Sequence, residues 1–107
     1  MISLAAMLRL ASRSPYRAWP HAAVVFRGGS VVGLATNTRH IHAEVRALNR
    51  VKVKKNLTLL SVRVGADGRL KLARPCPECW RYLARHGVKT VLYSTSSGDI
   101  EREAVVK

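Results

Sequence analysis

The apolar positions of this chain fall into short blocks whose period switches between helical and extended. Leu4, Met7, Leu8 and Ala11 recur at three- and four-residue intervals, the pattern of a helix with one apolar face, and Ser14-Pro15 ends it. His21 to Arg27 and Val31 to Thr36 are rich in Val and Ala and flank Gly28-Gly29-Ser30, which predicts a β-hairpin. From Ile41 to about Val51, Val45, Leu48 and Val51 alternate with polar Arg46, Asn49 and Arg50, predicting an amphipathic helix whose first turn holds His42 and Glu44. Leu57 to Val64 reads as a buried strand, Gly65-Ala66-Asp67-Gly68 as a turn, and Arg69 to Ala73 as an extended segment.

Pro77 suits the first position of a further helix, with Trp80, Leu83 and Ala84 as its buried stripe and Gly87 at its C-terminal cap. Cys76 and Cys79 then stand at that helix's N-terminus. Val88 to Ser94 reads as a strand, Thr95 to Asp99 as a turn and Ile100 to Val106 as a last strand. So short a link has no room for a crossover helix, so these two strands, if adjacent, pair antiparallel.

At 107 residues the chain is expected to form one domain over 1–107. Its apolar runs fall well short of the roughly 20 residues that span a bilayer, so no membrane partner is expected. The 19 Lys and Arg against 6 Asp and Glu give a net charge of +13, and Glu44 is the first acidic residue from the N-terminus. A basic excess of this size attracts polyanions, which points to nucleic acid or a nucleotide, with a merely solubilising surface or a ribosome-associated protein as the alternative. Met1 to Arg17 has Arg and Ser without acid and superficially resembles a transit peptide, but its spacing is read as the first helix of the fold. With no secretion signal and no disulfide set, a cytoplasmic location is expected.

Both cysteines lie in Arg74-Pro75-Cys76-Pro77-Glu78-Cys79-Trp80, too few for a disulfide framework, which leaves a metal site or a redox pair. A catalytic zinc takes three protein ligands and keeps a fourth position for water, and His42, Cys76 and Cys79 make one such triplet. Glu44, two residues after His42, sits where a carboxylate could move protons without joining the ligand set. A closed structural zinc would instead need a fourth ligand from His21, His40 or His86, and a thioredoxin-like dithiol would leave the His-Ala-Glu triplet unexplained.

His-Ala-Glu followed by Pro-Cys-Pro-Glu-Cys matches the H-x-E and P-C-x-x-C signature of zinc deaminases, and over nearly all its length the chain resembles the cytidine deaminase superfamily. The resemblance implies a three-layer α/β fold, with a mixed sheet of about five strands, helices on both faces and a terminal antiparallel hairpin. It implies zinc as cofactor, His42, Cys76 and Cys79 as metal ligands, and Glu44 as the catalytic proton shuttle in attack of zinc-activated water on C4 of cytosine or C6 of adenine. It also implies substrate contacts from Asn37, Trp19, His21 and Pro75. Trp19 precedes Pro20 where nucleoside deaminases place an aromatic on the pyrimidine, and an ordinary packing role is its alternative.

Lys52, Lys54, Lys55 and Arg74, with Arg63, Arg69 and Lys71, lie in sequence between the two ligand-bearing segments, as a phosphate-tracking surface beside the pocket would require. The expectation that follows is hydrolytic deamination of cytosine to uracil in single-stranded nucleic acid, DNA ahead of RNA. A deaminase of free cytidine, deoxycytidine or dCMP is the first alternative, and a non-catalytic, zinc-stapled nucleic-acid-binding module the second.

Overall fold

The computed structural model of the chain describes residues 4–14, 20–38 and 42–105. Along it run α1 (Leu4–Ser12), β1 (His21–Arg27), β2 (Ser30–Thr36), α2 (Ala43–Asn49), β3 (Leu57–Val64), β4 (Leu70–Lys71), α3 (Pro77–Arg85), β5 (Val88–Ser94) and β6 (Ile100–Ala104). The strands form one sheet in the order β2-β1-β3-β5-β6, with the short β4 pairing β3 off this path. That makes six strands where about five were expected, because Leu70–Lys71 closes an antiparallel bridge onto Arg63 and Val64. β1–β2 and β5–β6 are antiparallel hairpins, while β3 and β5 run parallel.

Alternation along the strands sorts side chains to the two faces. Ala23, Val25, Leu57, Leu59, Val91 and Tyr93 point to one face and form a core with Ala43, Ala47 and Leu48 of α2 and Leu83 of α3. Ala22, Val24, Phe26, Leu60 and Val62 point to the other, where Met7 and Ala11 of α1 cover them. Three layers result, with helices on both faces of a mixed sheet.

The helices are shorter than their sequence patterns. α2 begins at Ala43, so His42 is its N-cap instead of a first-turn residue, and Arg50 caps its end. Ala43, Glu44, Ala47 and Leu48 form its buried side, Val45 stays half-buried, and Val51 is buried beyond the helix. On α3, Cys79 and Leu83 are the buried pair, with Trp80 and Ala84 half-buried. Gly87 follows the His86 cap at φ +85°, and a Cβ there would stand 2.2 Å from the Lys54 carbonyl oxygen, so only glycine lets this turn close on the chain leading into β3.

Gly33 sets how closely α2 lies on β2, since a Cβ added there would come 2.5 Å from the Ala47 carbonyl oxygen and 3.0 Å from Val51 Cγ2. Gly33→Ala should therefore lower stability by about 2 kcal/mol, the usual cost of overpacking a tight contact. A urea unfolding midpoint equal to that of the parent chain would show that α2 does not depend on this approach.

Candidate active site and metal centre

Three backbone ends converge where β3 terminates. β1 starts there because His21 pairs with Arg63, β2 ends there at Thr36, and β3 leads through β4 toward α3. His42 at the N-cap of α2 (φ −67°, ψ 149°) and Cys76 at the N-cap of α3 (φ −66°, ψ 164°) both have extended backbone, and neither side chain caps its own helix. Pro77 fixes the first position of α3, whose first turn closes through the Trp80 N–H to the Cys76 carbonyl at 2.8 Å and carries Cys79 inward. One donor atom from each of His42, Cys76 and Cys79 lies within 4.8 Å of the others, and His42 Nδ1 stands 3.2 Å from Cys79 Sγ. A tetrahedral zinc with Zn–N of about 2.1 Å and Zn–S of about 2.3 Å separates its ligand atoms by roughly 3.5 Å, so this donor set fits a zinc ion. Burial pushes the Cys79 thiol up to about 12, with the charge of Glu44 and the neighbouring Cys76 adding to it, so a thiolate here requires a cation beside it.

Glu44 is 2% exposed, and its Oε1 is buried without a hydrogen bond to any of the described residues. A carboxylate is normally buried only with compensating partners, and the group facing Oε1 is His21 Nδ1, at 3.6 Å. His21 is itself buried, and its Nε2 lies 2.6 Å from Ser61 Oγ, which donates to the Ala73 carbonyl at 2.9 Å. Burial lowers the imidazole pKa below its ordinary value; Glu44 opposes this, while Arg63 and His42 reinforce it. The Asn37 Oδ1 accepts from the Ser14 hydroxyl at 2.5 Å and from the His21 backbone N–H at 3.1 Å.

These groups open onto one cavity of about 410 Å³, walled by His21, Asn37, His42, Glu44, Ala73 and Cys76, with Arg63, Leu72 and Arg74 also in its lining. Arg63 Nη1 donates to the Leu72 carbonyl at 3.0 Å. Arg74 makes a two-point ion pair with Glu103 of β6, Nε to Oε1 at 3.1 Å and Nη2 to Oε2 at 2.7 Å, and its guanidinium lies 4.4 Å from the Trp80 ring centre. The Glu103 partnership raises the Arg74 pKa, and the same bond to Arg74 lowers that of Glu103.

The structure thus brings together His42, Cys76, Cys79, Glu44, Asn37, His21 and Arg74. Pro75 is buried between Arg74 and Cys76 and does not line the cavity. Trp19 lies outside the described residues. Lys52, Lys54 and Lys55 stand at the opposite end of the sheet from the cavity, in the loop between α2 and β3, where Arg27 at the end of β1 donates to the Val53 and Lys55 carbonyls. Their place in sequence between the two ligand-bearing segments does not bring them to the pocket, because β3 crosses the whole sheet between them and the cysteines. Reasoning from sequence missed Ser61 as part of the site and named Arg63 only within a basic stretch beside the pocket; pairing β1 with β3 sets Arg63 directly opposite His21.

Sheet order, helices on both faces, and a His-Cys-Cys cluster at two helix N-termini define the cytidine deaminase-like fold, which this chain has. Among solved structures it is similar to cytidine deaminase from Mycobacterium tuberculosis (20% identity, TM-score 0.63, covering 92% of this chain and 84% of that one). It is also similar to cytidine deaminase from Mycobacterium leprae (20%, 0.56, 92% and 87%) and to Acinetobacter baumannii RibD (19%, 0.61, 83% and 26%). The chain spans about a quarter of the RibD chain, and at these identities the likeness is one of fold. No family model and no curated protein matches the sequence.

The ligand geometry gives a direct test by metal analysis. Cys79→Ser and His42→Ala should purify with their zinc content reduced by at least about 10-fold, whereas Glu44→Gln should keep close to one zinc per chain. Zinc lost equally from Glu44→Gln would place Glu44 among the ligands.

Proposed function

We propose that this chain is a zinc-dependent hydrolytic deaminase that converts cytosine to uracil in single-stranded nucleic acid, with DNA the first member of that class to test. The observation that carries the reading is Glu44, a buried carboxylate with an unbonded oxygen in the wall of the cavity that also holds His42 and Cys76. A zinc held by His42, Cys76 and Cys79 would supply Lewis acidity and ionise a water near neutral pH. Glu44 would take the proton that water releases, pass it to ring N3, and return a second proton to the departing amino group. The C4–N bond is replaced by C4–O, ammonia leaves, and the carboxylate is regenerated. Asn37, its Oδ1 held by the Ser14 hydroxyl and the His21 backbone N–H, stands in the cavity wall where it would face the base or sugar.

Support for a polymeric substrate comes from charge. Arg63 lines the cavity on a chain of net charge +13, a charge that favours a phosphate backbone at its mouth. A second reading, deamination of free cytidine, deoxycytidine or dCMP, is favoured by likeness to the two mycobacterial cytidine deaminases over most of their length.

The deciding experiment incubates zinc-loaded protein with cytosine-containing DNA and RNA oligonucleotides, cytidine and dCMP, and reads base conversion by mass. Conversion in oligonucleotides is expected, falling by about 10³-fold or more in Glu44→Gln. Conversion of the monomers alone would establish the second reading, and no conversion of any substrate would leave a zinc-stapled binding module. Arg63→Gln should raise KM for the oligonucleotide and flatten the log–log salt dependence by about 0.7, the increment for one phosphate contact on a single strand. An unchanged slope would remove Arg63 from the backbone path.

A further inference from the structure

The end of the sheet remote from the cavity gathers cations without acids. β3 enters the sheet there at Leu57, and its eight residues, at about 3.3 Å each, put this pole about 25 Å from the cavity. Arg50 and Lys52 follow α2, Lys55 precedes β3, Arg85 ends α3 and Lys89 lies near the start of β5; all five are exposed.

The backbone draws these segments together. Leu57 N–H donates to the Gly87 carbonyl at 2.9 Å and Leu57 pairs with Val88, so the end of α3 and the start of β5 lie against the chain that leads into β3. Arg27 donates to the Val53 and Lys55 carbonyls, and Lys54 Nζ donates to the Val51 carbonyl at 2.6 Å. Those two cations hold the loop, and the other five stand on the frame they fix.

None of the five has an acidic partner among the described residues. Glu44 is enclosed, Asp67 and Asp99 lie in the β3–β4 and β5–β6 turns, and Glu78 is in the first turn of α3. Glu103, the acid furthest along β6, pairs with Val91 in mid-strand and is bound by Arg74. A cation at a helix C-terminus is favourable in its own right, which accounts for Arg50 and Arg85. That leaves Lys52, Lys55 and Lys89 unaccounted for. On α3 the exposed Arg81 also stands four residues before Arg85, a like-charge spacing that weakens a helix. The same spacing puts both on one side of a helix whose other end carries Cys76 and Cys79, so positive charge continues from the pole toward the cavity.

We propose that this pole is a second polyanion-binding surface, which holds the phosphate backbone of a nucleic acid without regard to sequence at the end of the molecule away from the cavity. Contacts of this kind supply affinity and position while carrying no base information. A membrane surface fits less well, because the large apolar side chains exposed at this end are Val31 and Val53, and the loop between α2 and β3 has no amphipathic helix to lie in an interface. The surface binds whether or not the cavity deaminates cytosine, so its test needs no turnover.

The probe is labelled oligothymidylate of about 20 nucleotides, which offers the cavity no amino group, titrated with full-length zinc-loaded protein over a range of salt. Lys52→Gln, Lys55→Gln and Arg85→Gln combined should weaken binding by at least about 10-fold near ~0.1 M salt. The log–log salt slope should fall by about 2, three times the roughly 0.7 of one single-strand phosphate contact. Arg9→Gln, Arg69→Gln and Arg102→Gln combined remove the same charge from exposed positions elsewhere and should cost far less. Lys52→Arg, Lys55→Arg and Arg85→Lys combined should bind as the parent does. Equal losses in the two glutamine triples would overturn the proposal in favour of net charge alone, and loss in the charge-preserving triple at an unchanged melting temperature would point to local structure instead. Tighter binding to phosphatidylserine vesicles than to oligothymidylate would make the pole a membrane surface. Deamination absent while the pole still binds would sink the catalytic reading and leave this one standing.

Discussion

β3 and β5 run parallel, and a parallel pair obliges the chain to leave the sheet at one end and return to the other through a long crossover. That crossover, residues 65–87, contains β4 and α3, so α3 must start near the end of β3 and run back along the sheet. The obligation places Cys76 and Cys79 at the C-terminal end of β3. The antiparallel β1–β2 hairpin imposes the matching condition on the other side, because β2 ends beside the start of β1 and α2 must begin there. His42 and the two cysteines meet because sheet topology delivers two helix starts to one place; the few residues of link on either side only adjust the fit.

The polar cost of this arrangement falls on a small group of buried side chains. Glu44, His21, Ser61, Asn37 and Ser14 are all less than a tenth exposed. All but Glu44 are tied by hydrogen bonds that run from Ser14 to Asn37, from the His21 backbone to Asn37, and from the His21 ring through Ser61 to Ala73. Ser94, fully buried, plays a similar part at the end of β5. It accepts from the Arg63 N–H and donates to the Lys71 carbonyl where β4 takes over beside β3. Satisfied groups of this kind hold the wall of the cavity rigid, and among the described residues they leave one buried side-chain oxygen unsatisfied, Oε1 of Glu44.

Most of the fold was legible because its strands announce themselves. β1, β3 and β5 have the bounds that their apolar runs predict, and the hairpins follow from links too short for anything else. The His42, Cys76 and Cys79 cluster and the nearby Glu44 were legible because each sits at a fixed offset from a helix start, and that offset survives in sequence. What escaped depends on pairing across strands. β4 shows in sequence only as the extended segment Arg69 to Ala73, and nothing in that segment announces its two-residue pairing with β3. The extra turn read into α2 came from Val51, which is buried by its neighbours without being helical. Lys52, Lys54 and Lys55 were assigned to the pocket because sequence distance hides the length of a strand, about 3.3 Å for each residue of β3.

Charge is distributed as unevenly as the polar groups. Asp99, Glu101 and Glu103, half of the six acidic residues, belong to the β5–β6 turn and β6, and Glu44 is enclosed. A polyanion is therefore repelled from the β6 edge and drawn to the remaining surface. Arg74 lies on the boundary, in the cavity lining but bound at two points to Glu103 and laid over Trp80. Both groups are partly exposed, with side chains 42% and 37% accessible, so solvent screens their attraction and the pair adds little stability. Its effect is geometric. Glu103 holds the guanidinium in a fixed plane and offsets its charge, which turns Arg74 into a flat shoulder of the cavity beside Cys76.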